Sequence, residues 1–225
     1  MKTEEKSESR SFWYRNALSL VFLSLFLITW AAQAYSGWLD YDSELKDKFN
    51  QHIDFQEYVK SGHFISATFE NFESEFLQMA LFVLLTVSLR QQGSPQSKPL
   101  NREDETEKEP VPKENAPWPV KKGGWILKIY ENSLSITFAI LFLLSWGIHF
   151  YGSLREHNVE QILLGKPAYS VWQYLGKPGF WFETFQNWQS EFLSVFSIVF
   201  LSIFLRQKGS PESKPVDAPY VETGK

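Results

Sequence analysis

The sequence of 225 residues contains no cysteine. Without thiols the chain can form no disulfide bond, no thiolate metal site and no cysteine nucleophile. It also lacks the Gly-x-Ser-x-Gly motif of serine hydrolases and the signature of zinc proteases. A net charge of −4 gives no electrostatic support for a nucleic-acid partner. We therefore predict a protein that is not an enzyme, with no catalytic residue, no metal site and no cofactor.

Aromatic side chains, by contrast, are abundant: they make up 17% of the chain, with nine Trp and twenty Phe. Trp and Tyr concentrate at membrane–water interfaces because their rings are apolar and their edges are polar. The mean hydropathy of −0.26 would by itself suggest a soluble protein. This average is misleading, since the apolar residues form long blocks and the charged residues fill the gaps. The pattern is typical of a membrane protein.

The chain repeats itself once. Residues 14–99 match residues 130–215 without a net gap, at an offset of 116. The clearest matches are Thr-Phe-x-Asn-x-x-Ser-Glu-Phe-Leu, at 68–77 and 184–193, and Arg-Gln-x-Gly-Ser-Pro-x-Ser-Lys-Pro, at 90–99 and 206–215. A period this long that occurs only twice indicates a duplicated unit rather than a solenoid. The second motif lacks the Gly-Lys-[Ser/Thr] core of a phosphate loop, so we interpret it as a helix end.

Each unit holds two apolar segments, which predicts four membrane spans at about 17–35, 68–90, 134–151 and 182–206. The first and third are long enough by themselves, at about 19 residues. The purely apolar parts of the second and fourth are only about 14 residues long and must borrow the preceding polar turns to cross. The predicted fold is therefore all-α: an integral membrane four-helix bundle built from two parallel-repeat helical hairpins, with short outer-surface helices.

Lysine and arginine are concentrated in the N-terminal tail, the central segment and the C-terminal tail, a bias that marks the cytoplasmic side. We therefore place both termini in the cytoplasm. The predicted organisation is a cytoplasmic tail at 1–13, repeat 1 at 14–99, a disordered cytoplasmic linker at 100–124, repeat 2 at 125–215 and a tail at 216–225. One alternative stays open, because Ala32-Gln33-Ala34 follows an apolar run and resembles a signal-peptidase site.

Helical spacing puts an Asn and a Ser on one face of the second span and of the fourth, with a Glu beside them. A Gln of the first span and a His of the third lie at a similar height. We predict that these residues form a polar layer within the membrane, with Glu75 near Gln33 and Glu191 near His149. The layer consists of Asn71, Ser74, Glu75, Asn187, Ser190, Glu191, Gln33 and His149. It is either a proton or cation site or a set of interhelical hydrogen bonds.

The chain also resembles a family of uncharacterised bacterial four-span membrane proteins known only as a domain of unknown function. The most specific part of the resemblance is the run Gln-Asn-Trp-Gln-Ser-Glu-Phe at 186–192. Copy one departs from the pattern, with Asp42-Ser43-Glu44 and Asn71-Phe72-Glu73 in place of the family's residues. Further matches are Ser133-Leu134-Ser135, Trp146, His149, Asn158, Glu160-Gln161, Gly165, Tyr174-Leu175, Phe180-Trp181 and 206–214. The resemblance implies a multi-pass protein of the bacterial cytoplasmic (inner) membrane and supplies no activity.

Two functional hypotheses follow. The first is a non-enzymatic scaffold or interaction protein of the lipid bilayer, which associates with itself or with another membrane protein. The second is a small proton or cation channel or transporter that uses the polar layer around Glu75 and Glu191. An intramembrane enzyme ranks below both, because no nucleophile–base pair or metal-ligand set is visible.

Overall fold

The computed structural model describes residues 11–101 and 104–224. These residues contain helices and no strand, so the all-α prediction is confirmed. The chain divides into two compact units, Met1–Phe64 and Ile65–Lys225. Within the described ranges the helices are α1 (Phe12–Arg15), α2 (Ala17–Phe49), α3 (Phe55–Tyr58), α4 (Gly62–Ser88), a 3₁₀ turn (Glu105–Glu107), α5 (Trp118–Lys122), α6 (Gly124–Glu131), α7 (Ser133–Leu163), α8 (Val171–Leu175) and α9 (Pro178–Phe204).

Three of these helices, α2, α7 and α9, are long and apolar enough to cross a membrane. Their most apolar stretches are only 6%, 11% and 11% buried within the protein itself, so most of their apolar side chains need another cover. These helices indicate a membrane protein. The fourth long helix, α4, is as long as α9, at 27 residues each, but the Glu residues in its first half lower its hydropathy. The count of four spans therefore stays a prediction.

Two helices extend well beyond the predicted spans. The span expected at 17–35 lies within α2, which continues to Phe49, and the span expected at 134–151 lies within α7, which continues to Leu163. The end of α2 is set by Asn50, whose left-handed backbone (φ 53°) turns its N–H back to the carbonyls of Leu45 and Lys46. Each extension occupies the first part of one of the two predicted outer loops, which connect the first span to the second and the third span to the fourth. The short helices α3 and α8 occupy later parts of those loops.

The extension of α2 is stabilised by contacts with the segment that follows it. Tyr58 of α3 is 1% exposed, and its ring packs against Tyr41 and His63. Gly37 lets α2 approach this tyrosine, because a Cβ at that position would overlap the Tyr58 hydroxyl. The indole of Trp38 donates to the carbonyl of Ile53 at 2.9 Å. Burial of these rings stabilises α2 beyond the end of its apolar segment.

In the second unit, α8 is fixed against the end of α7. The side chain of Asn158 accepts from the N–H of Tyr169 at 2.6 Å and donates to the same residue's carbonyl at 3.1 Å. Ser170 begins α8 through a capping box with Gln173. The result is a short, capped helix that buries Tyr174 to 1% exposure.

The two Gly-Ser-Pro motifs end α4 and α9 with the same local structure. Gly93 and Gly209 have φ angles of 84° and 85°, a left-handed conformation that glycine adopts without a Cβ penalty. In each motif a serine hydroxyl accepts a hydrogen bond from the backbone N–H six residues upstream. Ser97 accepts from Gln91 at 2.9 Å, and Ser213 accepts from Gln207 at 3.0 Å. The interpretation of both motifs as helix ends agrees with this geometry.

The segment expected as a disordered linker, 100–124, contains the 3₁₀ turn and α5 in the part that the structure describes. Asp104 and Glu107 cap the 3₁₀ turn reciprocally, side chain to backbone. Glu107 also accepts hydrogen bonds from Arg90 and Lys98, each at 2.9 Å. These contacts tie the first part of the segment to the end of α4.

Candidate intramembrane polar site

Helices α4, α7 and α9 bring together a fully buried acid–base pair. Nδ1 of His149 lies 2.9 Å from Oε2 of Glu73, and both side chains are 0% exposed. The indole N–H of Trp188 donates to the other carboxylate oxygen, Oε1, at 3.1 Å. Both oxygens of Glu73 therefore have a partner. A carboxyl group in this setting depends on its hydrogen bonds, because no water replaces them.

A second acidic group lies next to this pair. The side-chain amide of Asn187 donates both to Glu70 of α4 and to the backbone carbonyl of Glu183, the latter at 3.3 Å. Glu70 is close enough to Glu73, Glu183 and His149 to interact with each of them electrostatically. The site thus holds three carboxyl groups and one imidazole contributed by three helices.

Toward α8, a chain of hydrogen bonds continues from the same site. The hydroxyl groups of Ser153 and Tyr174 are 2.6 Å apart, and the Tyr174 hydroxyl lies 2.9 Å from Nδ1 of His157. The oxygen of Ser153 is also 3.5 Å from the carboxylate of Glu183. Burial raises the pKa of Tyr174 to about 12, an effect that the hydrogen bond with Ser153 partly opposes. Tyr174 is therefore a neutral phenol at physiological pH.

Three buried polar atoms of α4, α7 and α9 have no hydrogen-bond partner in the described part of the chain. They are Nε2 of His149 and the hydroxyl oxygens of Thr68 and Thr184. The two threonines occupy matching positions of the repeat. Such atoms are uncommon in proteins and each costs about 1–3 kcal/mol when left unsatisfied.

The eight residues of the predicted layer are brought together only in part. Glu75 and Glu191 interact with each other through their carboxyl groups, across α4 and α9. His149 was expected beside Glu191, but its Nδ1 bonds Glu73 instead. Gln33 is half-buried on α2, in the other compact unit, and its position near Glu75 stays a prediction.

The remaining four members turn mostly to backbone carbonyls of their own helices. The hydroxyls of Ser74 and Ser190 donate to the carbonyls of Asn71 and Asn187, at 2.9 and 2.8 Å. The amide of Asn71 donates to Ala67 at 2.7 Å. Asn187 alone also reaches across to another helix, through Glu70.

The family model for the domain of unknown function DUF6766 matches residues 9–225. The chain belongs to this family. The expectation of an uncharacterised family is confirmed. No curated protein and no solved structure matches the chain.

The layer predicted from the sequence leaves out the central residues of the site in this DUF6766 protein, namely Glu70, Glu73 and Glu183. One signal could have found the pair at its centre. The run around 184–193 carries Gln189 where the first copy has Glu73, and Gln33 stands where the second copy has His149. The two copies therefore differ by an acid at one position and a base at the other. Opposite charges that appear together in an apolar environment are expected to pair.

Helices α4 and α9 of the DUF6766 chain, together with the segments that follow them, meet through residues that match each other in the repeat. The amide of Gln78 donates to the hydroxyl of Ser194 at 2.6 Å, and these residues are 116 positions apart. Gln96 and Glu212, also 116 apart, are joined at 2.5 Å. Glu75 and Glu191 form a third matched pair. The three pairs follow one another in the same order along both chain segments.

Proposed function

We propose that this DUF6766 protein is a non-enzymatic integral membrane protein that acts as a scaffold or interaction protein. In this proposal it lies in the bacterial cytoplasmic membrane and contains four spans, with both termini in the cytoplasm. The apolar and largely uncovered surfaces of α2, α7 and α9 support the membrane location. The Lys and Arg residues of the tails and the central segment support the orientation.

The contacts between matched residues support a duplicated architecture. When two copies are related by a two-fold axis, an element of one copy meets its own equivalent at that axis. The matched pairs Glu75/Glu191, Gln78/Ser194 and Gln96/Glu212 support such an axis between α4 and α9. Because the pairs keep the same order, the two helices run parallel, as expected for hairpins related by an axis along the membrane normal.

The polar first half of α4 fits a fourth span because its groups are paired inside the protein. Glu73, Glu70 and Gln78 each hydrogen-bond a residue of α7 or α9. Polar groups in a span are tolerated when they face other helices and find partners there. The low hydropathy of α4 is therefore compatible with membrane insertion.

The observation that carries the scaffold proposal is the closed Glu73–His149 pair. It has no exposed surface, both carboxylate oxygens are bonded, and its partners come from three helices. Interhelical hydrogen bonds of this kind, made away from water, fix how helices pack. We infer that the pair sets the arrangement of α4, α7 and α9.

A flux measurement tests this proposal. The purified protein is reconstituted in liposomes that contain a pH-sensitive dye, and proton entry is followed after a potassium diffusion potential is applied. If the protein is a scaffold, protons should enter at the same rate as in liposomes without protein. The variant Glu73→Gln should leave that rate unchanged and lower the melting temperature. Its control is Glu160→Gln, at an exposed position of α7. Flux that requires Glu73 would contradict the scaffold proposal.

The second candidate function, a small proton or cation channel or transporter, is favoured by the unpartnered Nε2 of His149 beside several carboxyl groups. An imidazole with one free nitrogen can pass on a proton that it receives at the other. In this case flux exceeds the background and falls in Glu73→Gln, or in the double variant Glu75→Gln with Glu191→Gln. Flux that is insensitive to both variants rejects this mechanism.

A further inference from the structure

A groove of about 560 Å³ lies between α4 and α9, on the side of Gln78 that leads to the helix ends. Its walls are apolar and come from both helices, with Leu81 and Leu85 on one side and Val195 and Val199 on the other. Apart from Thr86, whose hydroxyl donates to carbonyls of its own helix, the polar lining is concentrated at the two ends of the groove. Gln78 closes the inner end, while Arg90 and Gln96 lie at the outer one.

The length of the groove matches one leaflet of a bilayer. Gln78 and Arg90 are twelve residues apart on the chain, which is about 18 Å of helical rise. Half of a hydrocarbon core of about 30 Å is about 15 Å. Arg90 follows directly on the end of the apolar segment of α4, where the membrane surface is expected.

Arg90, at the outer end of the groove, forms a basic pair with Lys98 that already holds an anion. Arg90 and Lys98 both donate to the same oxygen of Glu107, each at 2.9 Å. Their side chains keep 25% and 18% of their surface exposed, and that of Glu107 keeps 31%. Two cations on one oxygen form the type of site that binds a phosphate oxygen. Its present occupant is a carboxylate from the chain's own 3₁₀ turn.

We propose that the groove binds one anionic phospholipid, with an acyl chain along the walls of α4 and α9 and the headgroup phosphate on Arg90 and Lys98. Glu107 takes the place of the phosphate when the lipid is absent. The complementarity is that of an amphiphile: apolar along the full length and cationic at the end that lies at the membrane surface. This inference depends on the membrane location and is independent of whether the protein acts as a scaffold or a transporter.

The matching basic residues of the second copy explain why one lipid binds rather than two. Lys214 matches Lys98, but it is 2% exposed and its ammonium group donates to the carbonyls of Pro219, Tyr220 and Glu222 at 2.9–3.0 Å. Arg206, which matches Arg90, donates to Ala218 at 3.2 Å. The chain's own C-terminal segment therefore fills the second position. At the first position Arg90 and Lys98 share the side chain of Glu107, which is displaceable, and also donate to the carbonyls of Val87 and Leu89 at the end of α4.

Native mass spectrometry of the purified full chain tests the proposal. The protein in detergent is titrated with phosphatidylglycerol and, separately, with phosphatidylcholine of the same chain length. We expect one phosphatidylglycerol per chain, bound about tenfold more tightly than phosphatidylcholine, since a charge-assisted contact is lost with the neutral headgroup. The double variant Arg90→Gln with Lys98→Gln should remove this preference. Its control, Lys121→Gln with Lys122→Gln, removes the same charge from α5 and should retain it.

A gain of affinity provides the second arm. Glu107→Gln removes the competing carboxylate and should raise the affinity for phosphatidylglycerol about tenfold without changing that for phosphatidylcholine. The control Glu105→Gln removes an equal charge two residues away, where the carboxylate pairs with Lys108, and should have no effect. Val195→Trp fills the groove and should reduce the binding of both lipids, with an unchanged melting temperature as the sign of a folded protein.

Several results would overturn the proposal. Equal affinity of the wild-type protein for the two lipids removes the headgroup site. Equal effects of Glu107→Gln and Glu105→Gln show general electrostatics instead of displacement. A dimer that binds no lipid, and that dissociates in Val195→Trp, assigns the groove to a second copy of the chain.

Discussion

The Glu73–His149 pair makes a quantitative prediction that a double-mutant cycle can test. Glu73 accepts two hydrogen bonds, from His149 and Trp188, whereas His149 takes part in only one of them. Interhelical hydrogen bonds within membranes contribute about 0.6 kcal/mol on average and up to about 1.7 kcal/mol. Glu73→Leu should therefore cost about 1–3.5 kcal/mol and His149→Leu about 0.6–1.7 kcal/mol.

The double variant should cost no more than Glu73→Leu alone, because the shared hydrogen bond is lost only once. The expected coupling free energy is that of this one bond, about 0.6–1.7 kcal/mol. Replacing a buried polar pair by two apolar residues is also often close to neutral. A second double variant, Glu73→Gln with His149→Gln, reproduces the residues of the matching positions 189 and 33 and should recover part of the loss.

Reversible unfolding in mixed micelles, followed by tryptophan fluorescence, gives the free energies, and Trp188 lies within the region of interest. The reasoning is refuted if the two Leu substitutions are additive within about 0.3 kcal/mol. It is equally refuted if His149→Leu costs more than Glu73→Leu. Glu160→Leu, at an exposed site on α7, is the control for a general effect of removing a carboxylate.

Three further predictions concern the two compact units and the segment between α4 and α5. Gly37→Ala should destabilise the protein, because the new Cβ overlaps the hydroxyl of the buried Tyr58. Gly147→Ala, which has open space around it on α7, should instead stabilise the protein by up to about 1 kcal/mol through helix propensity. Thermal melting of both variants measures the difference, and equal effects would contradict the close approach of Gly37 to Tyr58. Gly93→Ala should lower the melting temperature more than Gly209→Ala. Both positions have a left-handed backbone, but only at Gly93 would the new Cβ also overlap the carbonyl oxygen of Tyr220. The opposite order of melting temperatures would contradict the contact between Gly93 and Tyr220. Hydrogen bonding from Lys98 holds the pKa of Glu107 below its usual 4.5. This contact therefore contributes stability above pH 4.5, and the contribution is lost as the pH falls through the lower, folded-state pKa. Carbon-13 NMR titration should show the low pKa of Glu107 and its rise in Lys98→Gln, and an unchanged pKa in that variant would disprove the contact.

The helical class of this protein and three of its long helices follow directly from the apolar blocks of the sequence. The lengths of α2 and α7 do not, because they depend on contacts made after the apolar run ends. Tyr41 extends α2 by packing on Tyr58, and Asn158 anchors the end of α7 through Tyr169. Hydropathy cannot reveal either contact, since both join residues from different elements.

The polar layer shows the same limit more sharply. Helical spacing correctly shows which residues share a face of one helix, but it contains no information on the rotation of one helix relative to its neighbour. Glu73 is therefore absent from the predicted layer, although it lies only two positions from Glu75. The difference between the copies, Glu73 against Gln189 and His149 against Gln33, carried information that the periodicity lacked.

The length of α7 also has a practical consequence. Its 31 residues rise about 46 Å, whereas the hydrocarbon core is about 30 Å thick. In the proposed orientation, in which the helix starts at the cytoplasmic face of a bacterial membrane, its last turns and the adjoining α8 protrude into the periplasm. The exposed amine of Lys166 then becomes a handle for reagents that cannot enter cells, and biotinylation of intact spheroplasts would report the topology without any engineered tag.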